Sequence, residues 1–238
     1  MSKDMMATFN DPFINGSTRG VDCFAALATT YDEGLDLPLA GVDEVGRGCL
    51  AGPVVACALV LPNGCKIEGI RDSKKLTQKR RALLEKMITA QAESYAFGIV
   101  DAGEIDETNI LIATLKAMSI AIRGLDVIPK TVLVDGIHAP ECKYPVVCIK
   151  GGDSISQTVA AASILAKEHR DRMMREFCEQ FPEYGFSAHK GYGTKKHFEA
   201  IYLHGLCPLH RTTFLRKSEL LLAQKPPAVS ASIFAVHS

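Results

Sequence analysis

The chain has 238 residues, 47% of them hydrophobic, with 27 basic and 27 acidic side chains. That length suits one large domain, or a domain with an appendage, with enough apolar material for a sizeable core. Zero formal charge excludes a globally basic nucleic-acid binder, so any positive surface has to be local.

Residues 1–36 show little periodicity and read as an N-terminal extension, partly ordered at most. Two apolar, β-branched runs follow at 38–45 and 54–61, joined by GRGCLAG. The second, VVACALVL, is continuous rather than alternating, as in a strand covered on both faces. So short a link predicts an antiparallel, hairpin-like pair. Residues 71–94 predict a helix after Thr77, with Leu83, Met87 and Ala90 on its apolar stripe. SYAFGIVD, 94–101, predicts a third strand. Asp101 with Glu104 resembles a capping box, and Leu111, Leu115, Met118 and Ile122 form a helical stripe ending at Gly124. TVLVD, 131–135, and PVVCIK, 145–150, predict the fourth and fifth strands. Ser154 with Gln157 predicts the start of a long helix reaching Phe181. Beyond Pro182 come short, Gly-broken basic segments, then a frayed tail. Early strands followed by alternating helix and strand define an α/β domain with a mixed sheet.

No run reaches the ~20 apolar residues of a membrane span, and MSKDMMATFNDPF lacks the apolar centre of a signal peptide. A cytoplasmic location is therefore expected. The eight cysteines form no CxxC and no Cys/His zinc spacing. They read as reduced thiols, several of them inside apolar runs.

Four acids draw attention. Asp43 and Glu44 end the first strand, Asp135 ends the fourth, and Asp153 lies at the start of the long helix. Strand alternation sends Asp43 and Glu44 to opposite faces unless the strand frays or bulges there. If strands one and four are parallel neighbours, Asp43 and Asp135 meet at the carboxyl edge, where open α/β sheets place ligands. Carboxylates gathered without compensating arginines need a cation, and hard Mg²⁺ or Mn²⁺ fits oxygen ligands. Singly, Asp135 reads equally as a turn former and Asp153 as a helix N-cap. The joint occurrence points to a metal site.

Gly46, Arg47 and Gly48 follow the paired acids. Glycines leave backbone groups bare, so such a loop could approach a sugar and feel a 2′-hydroxyl, with Arg47 on a phosphate. A plain glycine turn explains the same letters. Positive charge is concentrated in 71–86, with seven Lys/Arg against two acids, and in 187–217, with six against one. Tyr184, Tyr192 and Tyr202 interleave with the latter, a pattern that suits nucleic acid. A solvated charged face remains the alternative. P-loop, GxGxxG, HExxH and GxSxG motifs are absent.

The stretches GVDEVGRGCLAGPVVACALVL, DSKKLTQKRR, VLVDG, KGGDSISQTVAAASILAKEHRDRMM and HKGYGTKKHFEAIYLHGLCPLHRTTF run in one order across roughly 40–216. On them the chain resembles the type 2 ribonucleases H, the bacterial ribonuclease HII family. The resemblance implies a ribonuclease H-like fold: a five-stranded mixed sheet flanked by helices, with a helical C-terminal region. It implies a catalytic domain over 37–182 and a basic helical region over 183–220 contributing to substrate binding; the tail over 221–238, outside the resemblance, is expected to be disordered. The implied activity is endonucleolytic cleavage of RNA in RNA–DNA hybrids and at single ribonucleotides in duplex DNA, leaving 3′-hydroxyl and 5′-phosphate ends. Asp43, Glu44, Asp135 and Asp153 are the implied catalytic metal ligands, for two Mg²⁺ or Mn²⁺ ions. Gly46, Arg47 and Gly48 are the implied 2′-hydroxyl sensor, Tyr192 packs on the neighbouring deoxyribose, and Ser73 and Lys74 hold backbone phosphate. A monomer is expected. A DNA-cutting nuclease of the same superfamily would share the acids without needing the sensor, and a non-catalytic hybrid binder would leave them purposeless.

Overall fold

The computed structural model describes residue 32 and residues 35–70 and 76–215. Five strands, β1 (Leu39–Val45), β2 (Val54–Val60), β3 (Ser94–Val100), β4 (Thr131–Asp135) and β5 (Val146–Ile149), form one sheet in the order β3-β2-β1-β4-β5. The first three pair antiparallel. β4 then adds parallel to β1, and β5 parallel to β4.

β2 is buried at every residue, and its two faces meet different layers. Val54, Ala56, Ala58 and Val60 pack with Ala113, Ala117, Met118, Ala121 and Ile122 of the helix Ile110–Arg123. Cys57 and Leu59 pack on the other side with Leu84 and Ile88 of the helix Gln78–Gln91 and with Ala161, Ile164 and Leu165 of the helix Gln157–Gln180. In chain order the helices are α1 (Gln78–Gln91), α2 (Ala102–Glu107), α3 (Ile110–Arg123), α4 (Gly152–Ile155), α5 (Gln157–Gln180), α6 (Phe186–His189), α7 (Lys195–His204) and α8 (Thr212–Leu215). The last three, with Leu50, Ala51 and Met174, enclose a separate apolar cluster at one end of the molecule.

Two glycines set how close the layers come. A Cβ on Gly98 would strike the carbonyl of Ala117, so α3 lies directly on β3. A Cβ on Gly41 would lie 2.5 Å from the carbonyl carbon of Thr158. The first turn of α5 therefore rests on the β1 backbone just before the paired acids.

Two local expectations shift. The buried stripe of α1 is Leu84 and Ile88, while Leu83 is 49% exposed. The helix is so basic that its few apolar residues fix the phase poorly, and tertiary burial decides it. The cap of α5 is Ser156, whose side chain accepts from the Val159 N–H. Ser154 instead belongs to α4, a single turn that precedes the cap. Asp32, in the region read as an extension, accepts hydrogen bonds from Ser156 Oγ at 2.6 Å and from Thr158 N and Oγ1 at 3.0 and 2.8 Å. It adds a carboxylate to the α5 N-terminus, where helix N–H groups lack partners. The rest of the N-terminal segment before Leu35 and the tail from 216 lie outside the described residues, as do Ser73 and Lys74.

Candidate active site

β1 and β4 stay in parallel register up to Val42 opposite Val134. The next residue on each strand is an aspartate, so Asp43 and Asp135 emerge together at the carboxyl edge. The third acid arrives by a local device. Asp135 Oδ1 accepts from the N–H groups of Gly151 and Gly152, both at 2.9 Å. Gly151 is left-handed, with φ 75°, and turns the chain into α4, which carries Asp153. Asp43, Asp135 and Asp153 each offer a carboxylate oxygen, and these oxygens lie within 4.8 Å of one another. Asp43 and Asp153 are only 5% and 6% exposed.

Glu44 is not part of that group. β1–β2 pairing continues through Glu44 opposite Ala56 and Val45 opposite Val55, so alternation sends Glu44 to the other face from Asp43. Its Oε1 lies 3.2 Å from Arg47 Nη1. It remains close enough to feel Asp135 electrostatically.

Burial holds the Asp43 carboxyl well above the usual carboxylate range, and the like charges of Glu44 and Asp135 push it the same way. Hydrogen bonds from Ser163 and the Glu44 N–H oppose this. The Glu44 carboxyl is also raised by burial, with the Arg47 guanidinium pulling it back. Such a site strains when fully ionised and relaxes when a cation enters. The donors of the three-acid group are all carboxylate oxygens, the set that hard divalent ions prefer. The residues present therefore fit divalent metal.

The Gly46–Gly48 loop follows immediately. Gly46 is buried with φ 95°, and a Cβ there would strike Arg170 Nε. Gly48 is exposed, and nothing lies within 4 Å of where its Cβ would be. The loop is laced to the turn carrying Tyr192, since Leu50 N donates to Gly191 O at 2.8 Å. Tyr192 is 42% exposed beside it. Burial raises its phenol, and the Cys49 thiol, in hydrogen-bond contact with it, adds to the effect.

The basic segments are less free than their letters suggest. Arg80 donates to Glu68 O, and Arg81 bridges Glu168 at 2.7 Å and Asp171 at 3.6 Å. Arg211 is fully buried. His197 and His210 are buried and meet Nε2 to Nε2 at 3.1 Å. Lys195 and Lys196 remain exposed. Sequence reading passed over Ser163, which bonds Asp43, and Arg170. Their positions on α5, with Met174 beyond, follow a helical stripe, and a polar residue on such a stripe was the available signal.

The family model described as Ribonuclease HII matches residues 40–217. A Geotalea daltonii ribonuclease HII is 53% identical over 74% of this chain and 82% of its own. A Ruminiclostridium cellulolyticum ribonuclease HII is 51% identical over 75% of this chain and 70% of its own. Among solved structures, the ribonuclease H2 of Pyrococcus horikoshii OT3 superposes with a TM-score of 0.62 at 28% identity, covering 74% of this chain and 92% of that one. This chain belongs to the ribonuclease HII family. It is a metal-dependent endoribonuclease of the ribonuclease H class, acting on RNA–DNA hybrids. Among the described residues, no helix is long and apolar enough to cross a membrane.

Proposed function

We propose that the chain cuts the RNA strand of hybrids and also cuts at single ribonucleotides embedded in duplex DNA, leaving 3′-hydroxyl and 5′-phosphate ends. The observation that carries this reading is the three-acid group within 4.8 Å beside a loop whose exposed Gly48 leaves bare backbone.

Asp43, Asp135 and Asp153 would hold the divalent ions, two Mg²⁺ or Mn²⁺ during turnover, with Glu44 a ligand approaching from the other face. When bound, such ions supply Lewis-acid chemistry, acidifying a water and neutralising charge on the departing 3′-oxygen. The chain's own residues do the rest. Asp135 fixes the Gly151–Gly152 turn and with it Asp153. Ser163 and the Glu44 N–H orient the Asp43 carboxylate. Gly46, Arg47 and Gly48 bring main-chain donors and acceptors to the ribose 2′-hydroxyl, which both gives and takes a hydrogen bond. Tyr192 offers a platform for the adjacent deoxyribose, and Ser73 and Lys74 hold a phosphate. The exposed Lys195 and Lys196 support a substrate-binding role for residues 183–220, over the duplex backbone. The enzyme acts as a cytoplasmic monomer.

The test compares an all-DNA duplex with one carrying a single ribonucleotide, with and without divalent ion. Cutting confined to the ribonucleotide and to ion-containing reactions supports the reading. Cutting of both duplexes moves the chain to a DNA nuclease, and cutting without ion removes the role of the acids.

A further inference from the structure

We propose that Arg170 and Arg211 are positioning residues for substrate discrimination: they clamp the 46–53 loop from behind and turn the Arg47 peptide so that the Gly48 N–H faces the ribose. This rests on the functional reading above.

Both side chains are fully buried. Neither has a carboxylate within ion-pairing distance among the described residues. An isolated buried charge is costly unless hydrogen bonds replace its water. Here the replacements are all backbone carbonyls. Arg170 donates from Nε to Pro53 O at 2.9 Å, from Nη1 to Lys190 O at 2.8 Å and from Nη2 to Ala51 O at 3.1 Å. Arg211 donates from Nε and Nη2 to Gly52 O at 3.0 and 2.7 Å, and from Nη1 to Arg47 O at 2.9 Å. Burial lowers Arg211 to about 10, which leaves it charged at neutral pH.

The bond to Arg47 O has a directional consequence. A trans peptide points its C=O and the following N–H in opposite directions. Holding the Arg47 carbonyl inward therefore aims the Gly48 N–H outward, on the exposed side of the loop. Arg170 fixes the loop's distance from the acids. It lies two helical turns beyond Ser163, on the same face of α5, and Ser163 bonds Asp43. One rigid helix thus holds both the acid cluster and the loop. Arg211 is itself held there, because its N–H donates to Leu50 O at 2.8 Å and Gly52 N donates to Leu209 O at 2.8 Å. A lysine could keep the charge and one such bond, but not the planar fork that reaches two or three carbonyls at once.

The test uses full-length Arg211→Lys and Arg170→Lys on the single-ribonucleotide duplex. Wild type is assayed first. If it does not cut that duplex, the functional reading fails before the clamp is examined. With wild type active, the expected result is a fall in kcat of about tenfold or more, since an ångström of misplacement can cost a hundredfold. KM should change by less than about threefold, because the proposed phosphate contacts at Ser73, Lys74, Lys195 and Lys196 lie outside the clamped loop. Calorimetric Mn²⁺ uptake should match wild type. The proposal is overturned if both folded variants keep wild-type kcat, if the loss falls on KM alone, or if Mn²⁺ uptake is lost in parallel. It is equally overturned if both variants unfold below the assay temperature, since the arginines then serve stability alone.

Discussion

The acid cluster and the loop beside it solve opposite electrostatic problems. At the cluster, negative charges are crowded together, and burial and the neighbouring acids push the Asp43 carboxyl well above the usual carboxylate range. Behind the loop, two positive charges are buried and satisfied by neutral carbonyls. The first arrangement is left under strain, which a cation relieves. The second is saturated, which makes it stiff. A metal nuclease that must also recognise a single hydroxyl needs both: a site that gains by taking up ions, and a backbone that does not adapt to the wrong sugar.

The sharpest break of this contrast is at the cluster. Asp43→Asn is expected to cut turnover by at least about a hundredfold while leaving hybrid binding at low salt near wild type, as measured by cleavage kinetics and a filter-binding assay. Retained cleavage in both Mg²⁺ and Mn²⁺ would count against the role given to Asp43. Next comes the loop. Gly46→Ala adds a Cβ against Arg170 at φ 95°, a conformation that alone costs about 1–2 kcal/mol for an L side chain. Cleavage should fall by more than about tenfold with Mn²⁺ uptake unchanged, so the two regions separate in one variant. Tyr192→Ala should weaken cutting at single ribonucleotides by about fivefold to tenfold, within the range of a lost aromatic platform. Unchanged rates there would remove its proposed contact.

The smallest effect sharpens the same comparison through pH. Burial lowers His197 and His210 from the usual 6.5 to about 4, and each is pushed further by a neighbouring histidine. The unfolded chain takes up these protons as pH falls through 6.5, while the folded chain resists until about 4. Their contribution to stability is therefore whole above about pH 6.5 and declines between 6.5 and 4. Asp43 and Glu44 behave in the opposite sense, since raised carboxyls lose repulsion as pH falls. Thermal melting should show a drop from pH 7 to pH 5 that is smaller in His210→Gln. An equal drop in that variant would mean that the paired imidazoles do not set it.

Much of this was legible in the letters, and the failures have physical causes. Continuous apolar runs ending in acids gave the strands and placed Asp43 and Asp135 at one edge, because parallel register is fixed by the buried pattern before them. The separate orientation of Glu44 follows from the same alternation. Asp153 alone could be read as a helix N-cap, and Ser154 with Gln157 as a capping box; the actual cap is Ser156, and the left-handed Gly151 and one-turn α4 before it leave only a weak local signal. Arg211 reads as part of a basic patch and is in fact buried. What pulls it inward is the ring of carbonyls at Arg47 and Gly52, more than 150 residues away in sequence, which composition cannot see.

The central claim is that Asp43, Asp135 and Asp153 form one cation site. Calorimetric titration of Mn²⁺ into the full-length protein tests it most directly, with Asp135→Asn as the partner variant. Saturable uptake by wild type that is lost or weakened by at least about tenfold in the variant is the predicted result. Equal uptake by the two proteins would contradict it.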